Sequence, residues 1–208
     1  MHSLSAAVVK EIVRKNLDEL NENYSDVLGD TDSEDLDTII VKSIAQAANH
    51  VHEIAPQDML EGKFVVGSVA GADGVSTFEI KDNDYLRLVR CKPAGSSVYL
   101  RTAYNEDSPQ GRMQLNPYTK ATSDNPCLIV RQGTSTTLDL YGAVGSGSSL
   151  EYVPIVKPGD ITSVDISTPL VDRFIDQLTG MVLLILGETD KAQAFIQRAM
   201  GNNINQQP

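Results

Sequence analysis

The chain has 208 residues, which is enough for one ordinary domain or for one β-rich core with helical appendages. Apolar residues make up 41% of it and Trp is missing, so a hydrophobic core has to rest mainly on Val, Ile and Leu. The formal net charge of -11 argues against a conventional nucleic-acid-binding protein, because an acidic surface repels the phosphate backbone.

The sequence has no signal that would place the chain in a membrane or a secretory pathway. The longest apolar run, Met181 to Leu186, is much shorter than the roughly 20 residues of a membrane-spanning helix. No stretch near the N-terminus has the basic, apolar and small-residue succession of a signal peptide. Cys91 and Cys127 belong to no CxxC motif or Cys/His cluster, which favours small buried side chains over a disulfide or a reactive thiol. We therefore expect a soluble protein in a reducing compartment.

The first predicted element is an amphipathic helix over residues 4–20, where apolar residues recur at helical spacing. An acidic block runs from Asp18 to Asp37, with nine Asp and Glu residues and no Lys or Arg. We interpret this block as a solvated, partly flexible linker between two helices, and the alternative is docking against a basic partner surface.

A second helix is predicted to begin near residues 31–33, because Thr31 and Glu34 have the spacing of a capping box. A broad apolar stripe runs along this helix, and Pro56 ends it. Residues 1–60 thus form an N-terminal helical segment.

From Lys63 to Val156 the periodicity changes to two, which predicts short strands with glycine-containing turns between them. In the third strand, Leu86 and Leu88 are expected on one face and Arg87 on the other. Many short strands without an intervening helix favour an antiparallel barrel or sandwich over residues 61–160. The strands are expected at about residues 63–69, 75–80, 84–91, 97–104, 126–131, 136–141 and 150–156.

The polar stretch from Asn105 to Asn125 interrupts this pattern. It contains two prolines and is long for a loop inside a compact domain. We therefore predict that it is an interaction arm.

The last part of the chain, residues 161–201, returns to helical periodicity. Thr168 is a good N-cap with Pro169 at the first helical position, and the predicted helix runs to Gly187. A shorter helix follows over about residues 190–200, and residues 202–208 are expected to be a flexible tail. The predicted fold is therefore α+β, with N-terminal helices, a central antiparallel β barrel or sandwich and a C-terminal helical hairpin. The β domain is inserted between helices that can pack together as one unit.

Residues 30–41 match a calcium-binding loop only at its first positions. Asp30, Asp32 and Glu34 have the spacing that opens a calcium loop. However, Asp35 stands where the loop needs Gly, and Val41 stands where it needs a bidentate Glu. The sequence predicts no metal site here.

The sequence contains no converging set of catalytic groups. His50 and His52 are two residues apart on a predicted helix and therefore point to different faces, while His2 lies in a terminus that is expected to fray. The glycine run 142–147 lacks the spacing of a phosphate loop, and no GxSxG motif is present. We predict no catalytic, cofactor-binding or metal-ligating residues, no cofactor and no enzyme activity. The enzymatic alternative is a hydrolase that uses loop carboxylates such as Glu106 and Asp107.

Three segments stand out in this order of two helices, a β domain and two helices. They are the helix from Ile39 that runs into Ala55-Pro56-Gln57-Asp58-Met59; Tyr85-Leu86-Arg87-Leu88-Val89-Arg90 with the loop around Tyr104-Asn105-Glu106-Asp107; and Asn125-Pro126-Cys127-Leu128-Ile129-Val130 with Leu138-Asp139-Leu140-Tyr141. With these segments, roughly residues 35 to 200 resemble the head-to-tail connector proteins, or neck adaptor ring proteins, of tailed bacteriophages such as the crAss-like podophages.

This resemblance implies a virion structural protein that is assembled in the host cytoplasm. Such a protein forms a homo-oligomeric ring, typically a dodecamer, which links the portal protein to other neck or tail proteins. It lines the DNA exit channel, lets DNA pass without specific binding and has no membrane contact. The acidic balance suits a channel wall that must not hold DNA. The acidic segment 18–37 matches no element of the family.

Two other readings compete with the ring protein. One is a phage tail-completion protein or another non-catalytic β module that binds protein or carbohydrate, and the other is the enzyme described above. Broad apolar helix faces favour assembly, because surplus apolar surface is normally covered by a neighbour and identical subunits that meet head to tail close into rings.

Overall fold

The computed structural model describes residues 1–20, 30–71, 73–159 and 161–201, with the backbone alone for residues 19–20 and 30–35. These residues form a mixed α+β fold, as predicted, with five α-helices and nine β-strands. The chain divides into two compact units. The helical unit joins Met1–Leu60 to Val156–Pro208, and the β unit is the continuous stretch Glu61–Ile155.

In chain order the elements are β1 (His2–Ser5), α1 (Ala6–Leu20), α2 (Asp30–Ile54), β2 (Lys63–Val66), β3 (Val75–Ile80), β4 (Tyr85–Lys92), β5 (Tyr104–Asn105), α3 (Pro109–Met113), β6 (Cys127–Gln132), β7 (Thr136–Tyr141), β8 (Ser149–Pro154), β9 (Ser163–Ile166), α4 (Val171–Ile185) and α5 (Thr189–Ala199). The predicted long helices are confirmed in α1, α2, α4 and α5, with ends that differ by a few residues.

Helix α4 is the centre of the helical unit, since it packs against α5, α2 and α1. Its buried face is apolar at helical spacing and includes Phe174, Leu178 and Val182. Gly180 lets α5 approach α4 closely, because a Cβ atom at Gly180 would lie 2.8 Å from Cγ1 of Ile196.

An ion-pair cluster at Asp37 joins α1 to α2. The Asp37 carboxylate accepts hydrogen bonds from Nζ of Lys10 at 3.1 Å and from Nε of Arg14 at 2.9 Å. The last acidic residue of the block 18–37 is therefore part of a helix and is paired with two basic side chains. The prediction of a linker over the acidic block 18–37 was wrong for residues 18–20 and 30–37, which are helical. Residues 21–29 of that block and the predicted tail, residues 202–208, lie outside the described residues. The capping-box side chains of residues 31 and 34 also lie outside them.

The start of the chain differs from the predicted helix 4–20. His2 to Ser5 form strand β1, which pairs antiparallel with β9, and His2 lies opposite Ile166. Leu4 is buried in this strand, and the Ser5 hydroxyl accepts a hydrogen bond from the backbone N–H of Val8 at the start of α1. The expectation that His2 lies in a frayed terminus was wrong, because β9, more than 150 residues further along the chain, supplies its backbone partners.

The start of α4 also differs from the prediction. Thr168 and Pro169 belong to a short 3-10 turn, Thr168–Leu170, and α4 begins only at Val171. The backbone N–H of Leu170 donates to the carbonyl of Ser167 at 2.8 Å, which closes this tighter turn before the helix.

The β unit contains two separate sheets within its described residues. One has three strands in the order β2-β8-β4 and the other has four in the order β3-β7-β6-β5. All pairs are antiparallel except β5 and β6. The predicted barrel was wrong, because each sheet keeps two edge strands and no described strand pairs across them to close a barrel.

One hydrophobic core takes side chains from both sheets of the β unit. The four-stranded sheet contributes its alternate residues, as a half-buried strand pattern predicts. The fully or largely buried members are Phe78, Ile80, Leu88, Cys91, Leu128, Val130, Leu138, Leu140, Ala143, Leu150 and Tyr152.

Strand β4 does not alternate as its sequence predicts. The register with β8 shifts between Tyr85 and Arg87 and again between Leu88 and Arg90. These bulges place Tyr85, Leu88 and Cys91 against the core, at a spacing of three residues. The prediction that Leu86 and Leu88 share one face was therefore wrong.

The predicted strand over residues 97–104 is also absent as a continuous strand. Leu100 makes an isolated antiparallel bridge to Cys91, with both backbone hydrogen bonds at 2.8 Å. Four residues later the chain pairs with β6 instead, through Tyr104 and Asn105. Because the partner changes between these points, neither pairing extends into a longer strand.

Candidate interaction surfaces

The stretch 105–125, which we call the arm, is folded on itself by local hydrogen bonds. Ser108 caps the short helix α3, since its hydroxyl accepts from the backbone N–H of Gly111 at 3.1 Å. Gly111 sits against the start of the arm, because a Cβ atom there would lie 2.2 Å from the carbonyl oxygen of Glu106. Only glycine fits this close approach.

The second half of the arm is held by three side chains that bond to its backbone. Oδ1 of Asn116 accepts from the N–H of Tyr118 at 3.0 Å, which is an Asx turn. The Thr119 hydroxyl donates to the carbonyl of Met113 at 3.0 Å. The Gln114 amide donates to one arm carbonyl and accepts from the N–H of Ala121 at 2.9 Å. These bonds fix the backbone of the arm before any partner arrives.

This fixed backbone holds apolar side chains in solvent. Tyr118 is 95% exposed, Leu115 is 82% exposed and Met113 is 46% exposed. Single exposed apolar residues are ordinary, but three within six positions of one ordered loop are typical of contact sites. The sequence pattern marked the arm as polar, and the signal it contained was this trio of apolar residues within six positions.

A second exposed surface, the sheet patch, lies on the outer face of the three-stranded sheet. Phe64 is 67% exposed and Val66 is 73% exposed. The Arg90 guanidinium carbon lies 6.0 Å from the ring centroid of Phe64 and 5.2 Å from that of Tyr99. Lys92 reaches the same Tyr99 ring at 5.7 Å. The sheet patch is therefore both aromatic and cationic.

A buried carboxylate, Glu151, lies at the centre of this sheet face. Its Oε2 accepts from Nε of Arg90 at 2.7 Å, and its Oε1 accepts from the backbone N–H of Gly62 at 3.0 Å. Both carboxylate oxygens are thus used, and the pairing orients Arg90 between the two exposed rings. This arrangement makes Glu151 a structural residue.

The helical unit contains an open groove of about 820 Å³ along α2, α4 and α5. Polar residues of α2 form one wall, and apolar residues of α4 and α5 form the other. Leu184 and Ile185 are 45% and 57% exposed there. The polar wall contains Lys42, Gln46, Asn49, His50 and Glu53, and the apolar wall contains Met181, Leu184, Ile185 and Ile196.

Gln177 is the unusual residue of the groove. Its side chain is only 5% exposed, and among the described residues its buried Oε1 has no hydrogen-bond partner. Asn49, another amide of the groove, is satisfied, since it donates to the carbonyl of Val156 at 2.9 Å and accepts from the Val156 N–H at 2.8 Å. A buried acceptor without a donor costs stability.

The three histidines lie in three different environments. His50 lines the groove, His2 is in β1, and His52 is fully buried, with Nε2 accepting from the backbone N–H of Ser167 at 3.2 Å. Burial lowers the pKa of His52 from 6.5 to about 4, because it disfavours the charged ring. His52 is therefore a neutral packing residue.

The cysteines are free thiols, Cys91 buried and Cys127 half-buried. Burial raises the pKa of Cys91 to about 12 and also raises that of Cys127, so both thiols are protonated at neutral pH. Glu106, a proposed loop acid, lies 3.5 Å from Nε of Arg131. Its neighbour Asp107 is exposed.

Three further findings concern ligands, membranes and relatives. No group of three or more His, Cys, Asp and Glu side chains is placed to hold a metal ion in the described ranges. No described helix combines the length and apolar character needed to cross a membrane. Comparison with protein-family models and with curated proteins finds no match to this chain.

Proposed function

We propose that this chain is a structural protein of a tailed-bacteriophage virion, assembled in the host cytoplasm, that forms a homo-oligomeric ring in the neck. In this role it links the portal protein to other neck or tail proteins and lines the DNA exit channel. The ring is proposed to be a dodecamer. The chain does no chemistry and needs no cofactor in this role.

The observation that carries the proposal is the ordered arm that presents Leu115 and Tyr118 to solvent. A loop that is already folded loses little conformational entropy on binding, so its exposed apolar side chains favour a protein contact. Such side chains in water are a cost to an isolated chain, and a neighbouring subunit removes that cost.

Charge is a second support. The net charge of -11 suits a channel wall, because DNA passes an acidic surface without being held. The fold is compatible with an insertion of the β domain between helices. As finer detail, we propose that the two sheets stack as a sandwich around their common core and that α4 and α5 act as a helical hairpin at the subunit edge.

A second candidate function is a tail-completion protein or another non-catalytic β module that binds protein. The observation that favours it is the sheet patch, where Phe64 and Tyr99 flank Arg90. Exposed aromatic and Arg side chains are enriched at contact sites. A module of this kind works as a small oligomer with one binding face.

The experiment that separates these candidates is negative-stain electron microscopy combined with sedimentation velocity on the purified protein. The ring proposal expects closed rings of many copies in class averages. A discrete dimer or trimer that binds through the sheet patch favours the second candidate. A monodisperse monomer at high concentration contradicts the ring.

A further inference from the structure

We propose that the arm of one copy docks in the groove of the next copy, with Leu115 and Tyr118 as the inserted side chains. This inference deepens the proposed function, on which it rests, because it names the contact that builds the ring. It commits to a second copy of this chain as the occupant of the groove.

The groove has the chemistry of a site for an amphipathic side chain. Its volume of about 820 Å³ lies in the range of pockets that enclose a ligand, roughly 300–1,000 Å³. Leu184 and Ile185 offer exposed apolar surface to the body of such a ligand. Oε1 of Gln177 is an acceptor that no described residue satisfies; the atom itself is buried, so a donor reaches it once the Gln177 side chain turns toward the groove. An occupant therefore needs an apolar body and a hydrogen-bond donor.

The arm supplies both requirements. Tyr118 has an aromatic ring with an O–H donor at its end and is 95% exposed, and Leu115, three positions earlier, is 82% exposed. The Asn116 turn fixes the backbone between them through the Tyr118 N–H. The two side chains are thus held on one rigid loop and enter a site together at low entropic cost.

Both surfaces are exposed in one chain. Leu115 and Tyr118 are exposed on the arm of the β unit, and Leu184 and Ile185 are exposed in the groove of the helical unit. Two different complementary surfaces on one chain produce head-to-tail contacts, which close into a ring when the rotation between copies permits. A self-complementary dimer would instead use the same surface on both copies.

The test uses two full-length variants that each lose one side of the contact. The arm variant combines Leu115→Asp and Tyr118→Asp, and the groove variant combines Leu184→Asp and Ile185→Asp. All four residues are exposed, so the charges do not enter a core. Val144→Asp in the β unit and Val8→Asp in the helical unit are matched controls, at 62% and 45% exposure.

We expect the wild type and both controls to form the same rings, and each variant alone to be a monomer by sedimentation velocity. A mixture of the two variants should form one-to-one dimers and nothing larger, because each dimer contains one intact arm in one intact groove. Variants that still form rings, or a mixture that stays monomeric, overturn the docking while wild-type rings keep the proposed function. A wild-type monomer overturns both.

A conservative pair of substitutions tests the hydrogen bond within that dimer. Tyr118→Phe in the chain that supplies the arm and Gln177→Leu in the chain that supplies the groove should each weaken the dimer about tenfold. The two together should weaken it about tenfold as well, because they remove the same bond. Additive losses, or none, contradict the proposed contact. The proposed contact is also contradicted if the groove binds a different protein and the affinity of the groove for Tyr118→Phe chains equals its affinity for wild-type chains.

Discussion

Nε2 of His52 accepts a hydrogen bond from the backbone N–H of Ser167, which ties the end of α2 to the segment that leads into α4. The ring is fully buried, and burial lowers its pKa to about 4. The two residues lie 115 positions apart in the chain, so this bond helps to join the two segments of the helical unit.

The burial of His52 predicts a pH-dependent stability. The unfolded chain binds a proton on His52 below about pH 6.5, but the folded chain does so only below about pH 4. The contribution of His52 to the free energy of unfolding is therefore fully present above pH 6.5 and is lost as the pH falls toward 4. The loss attributable to His52 is on the order of 3 kcal/mol. The free energy of unfolding is measured in urea at pH 7 and at pH 4.5. His52→Gln retains the acceptor for the Ser167 N–H, and the fall in this free energy between the two pH values should be smaller by the part attributable to His52. The control is His50→Gln, at a half-buried position of the same helix. An equal fall in the free energy of unfolding between the two pH values in both variants contradicts this prediction.

Glu151→Ala should destabilise the β unit. The substitution removes the acceptor of the Gly62 N–H and the partner of Arg90, and we expect a loss of about 2–3 kcal/mol in the free energy of unfolding. Glu151→Gln keeps an acceptor for Gly62 and should lose only about 1 kcal/mol, since Arg90 is partly exposed and its charge is screened. Urea denaturation measures both values. The matched control Glu79→Gln, on an exposed position of β3, should change stability by less than about 0.5 kcal/mol.

Gly111→Ala should disorganise the arm. A Cβ atom at this position would lie 2.2 Å from the carbonyl oxygen of Glu106, so the backbone has to move. Trypsin cleavage after Arg112 and Lys120 should become about tenfold faster, because cleavage follows the population of locally open arm. Gly133→Ala is the control, since its Cβ would meet the nearest atom only at 3.8 Å. Unchanged cleavage in Gly111→Ala would show that the arm is not held by this contact.

Gly180→Ala should destabilise the helical unit although alanine is the better helix former. The propensity gain is about 1 kcal/mol. The new Cβ atom would lie 2.8 Å from Cγ1 of Ile196 and 3.2 Å from the carbonyl oxygen of Ala192, and overpacking of this kind costs about 1–3 kcal/mol. Thermal unfolding should show a net loss. Adding Ile196→Ala should recover part of it, and a stabilised single variant would contradict the close approach of α5.

Some features were predictable because they depend on nearby residues. The apolar spacing of α4 and the alternation of β7 are local patterns, and the structure has both elements at the predicted places. The Gly187 end of α4 was predictable for the same reason, since this residue has a φ of +85°.

Other features depend on residues far apart and could not be read from a local pattern. The pairing of Leu4 with Val164 decides that the first residues form a strand. The bulges in β4 depend on its register with β8. The unsatisfied oxygen of Gln177 appears only when α4 has packed in place, because its helical pattern does not distinguish a satisfied amide from an unsatisfied one.

The pairing of β1 with β9 has a consequence for synthesis on the ribosome. The segment Glu61–Ile155 is continuous, so its sheets can form as soon as that stretch has emerged from the exit tunnel. Strand β1 can pair, and helices α1 and α2 can pack against α4, only after Ser163–Ile166 and α4 have been translated. During that interval their apolar faces are open to chaperones, and slower elongation before residue 166 should lengthen this exposure.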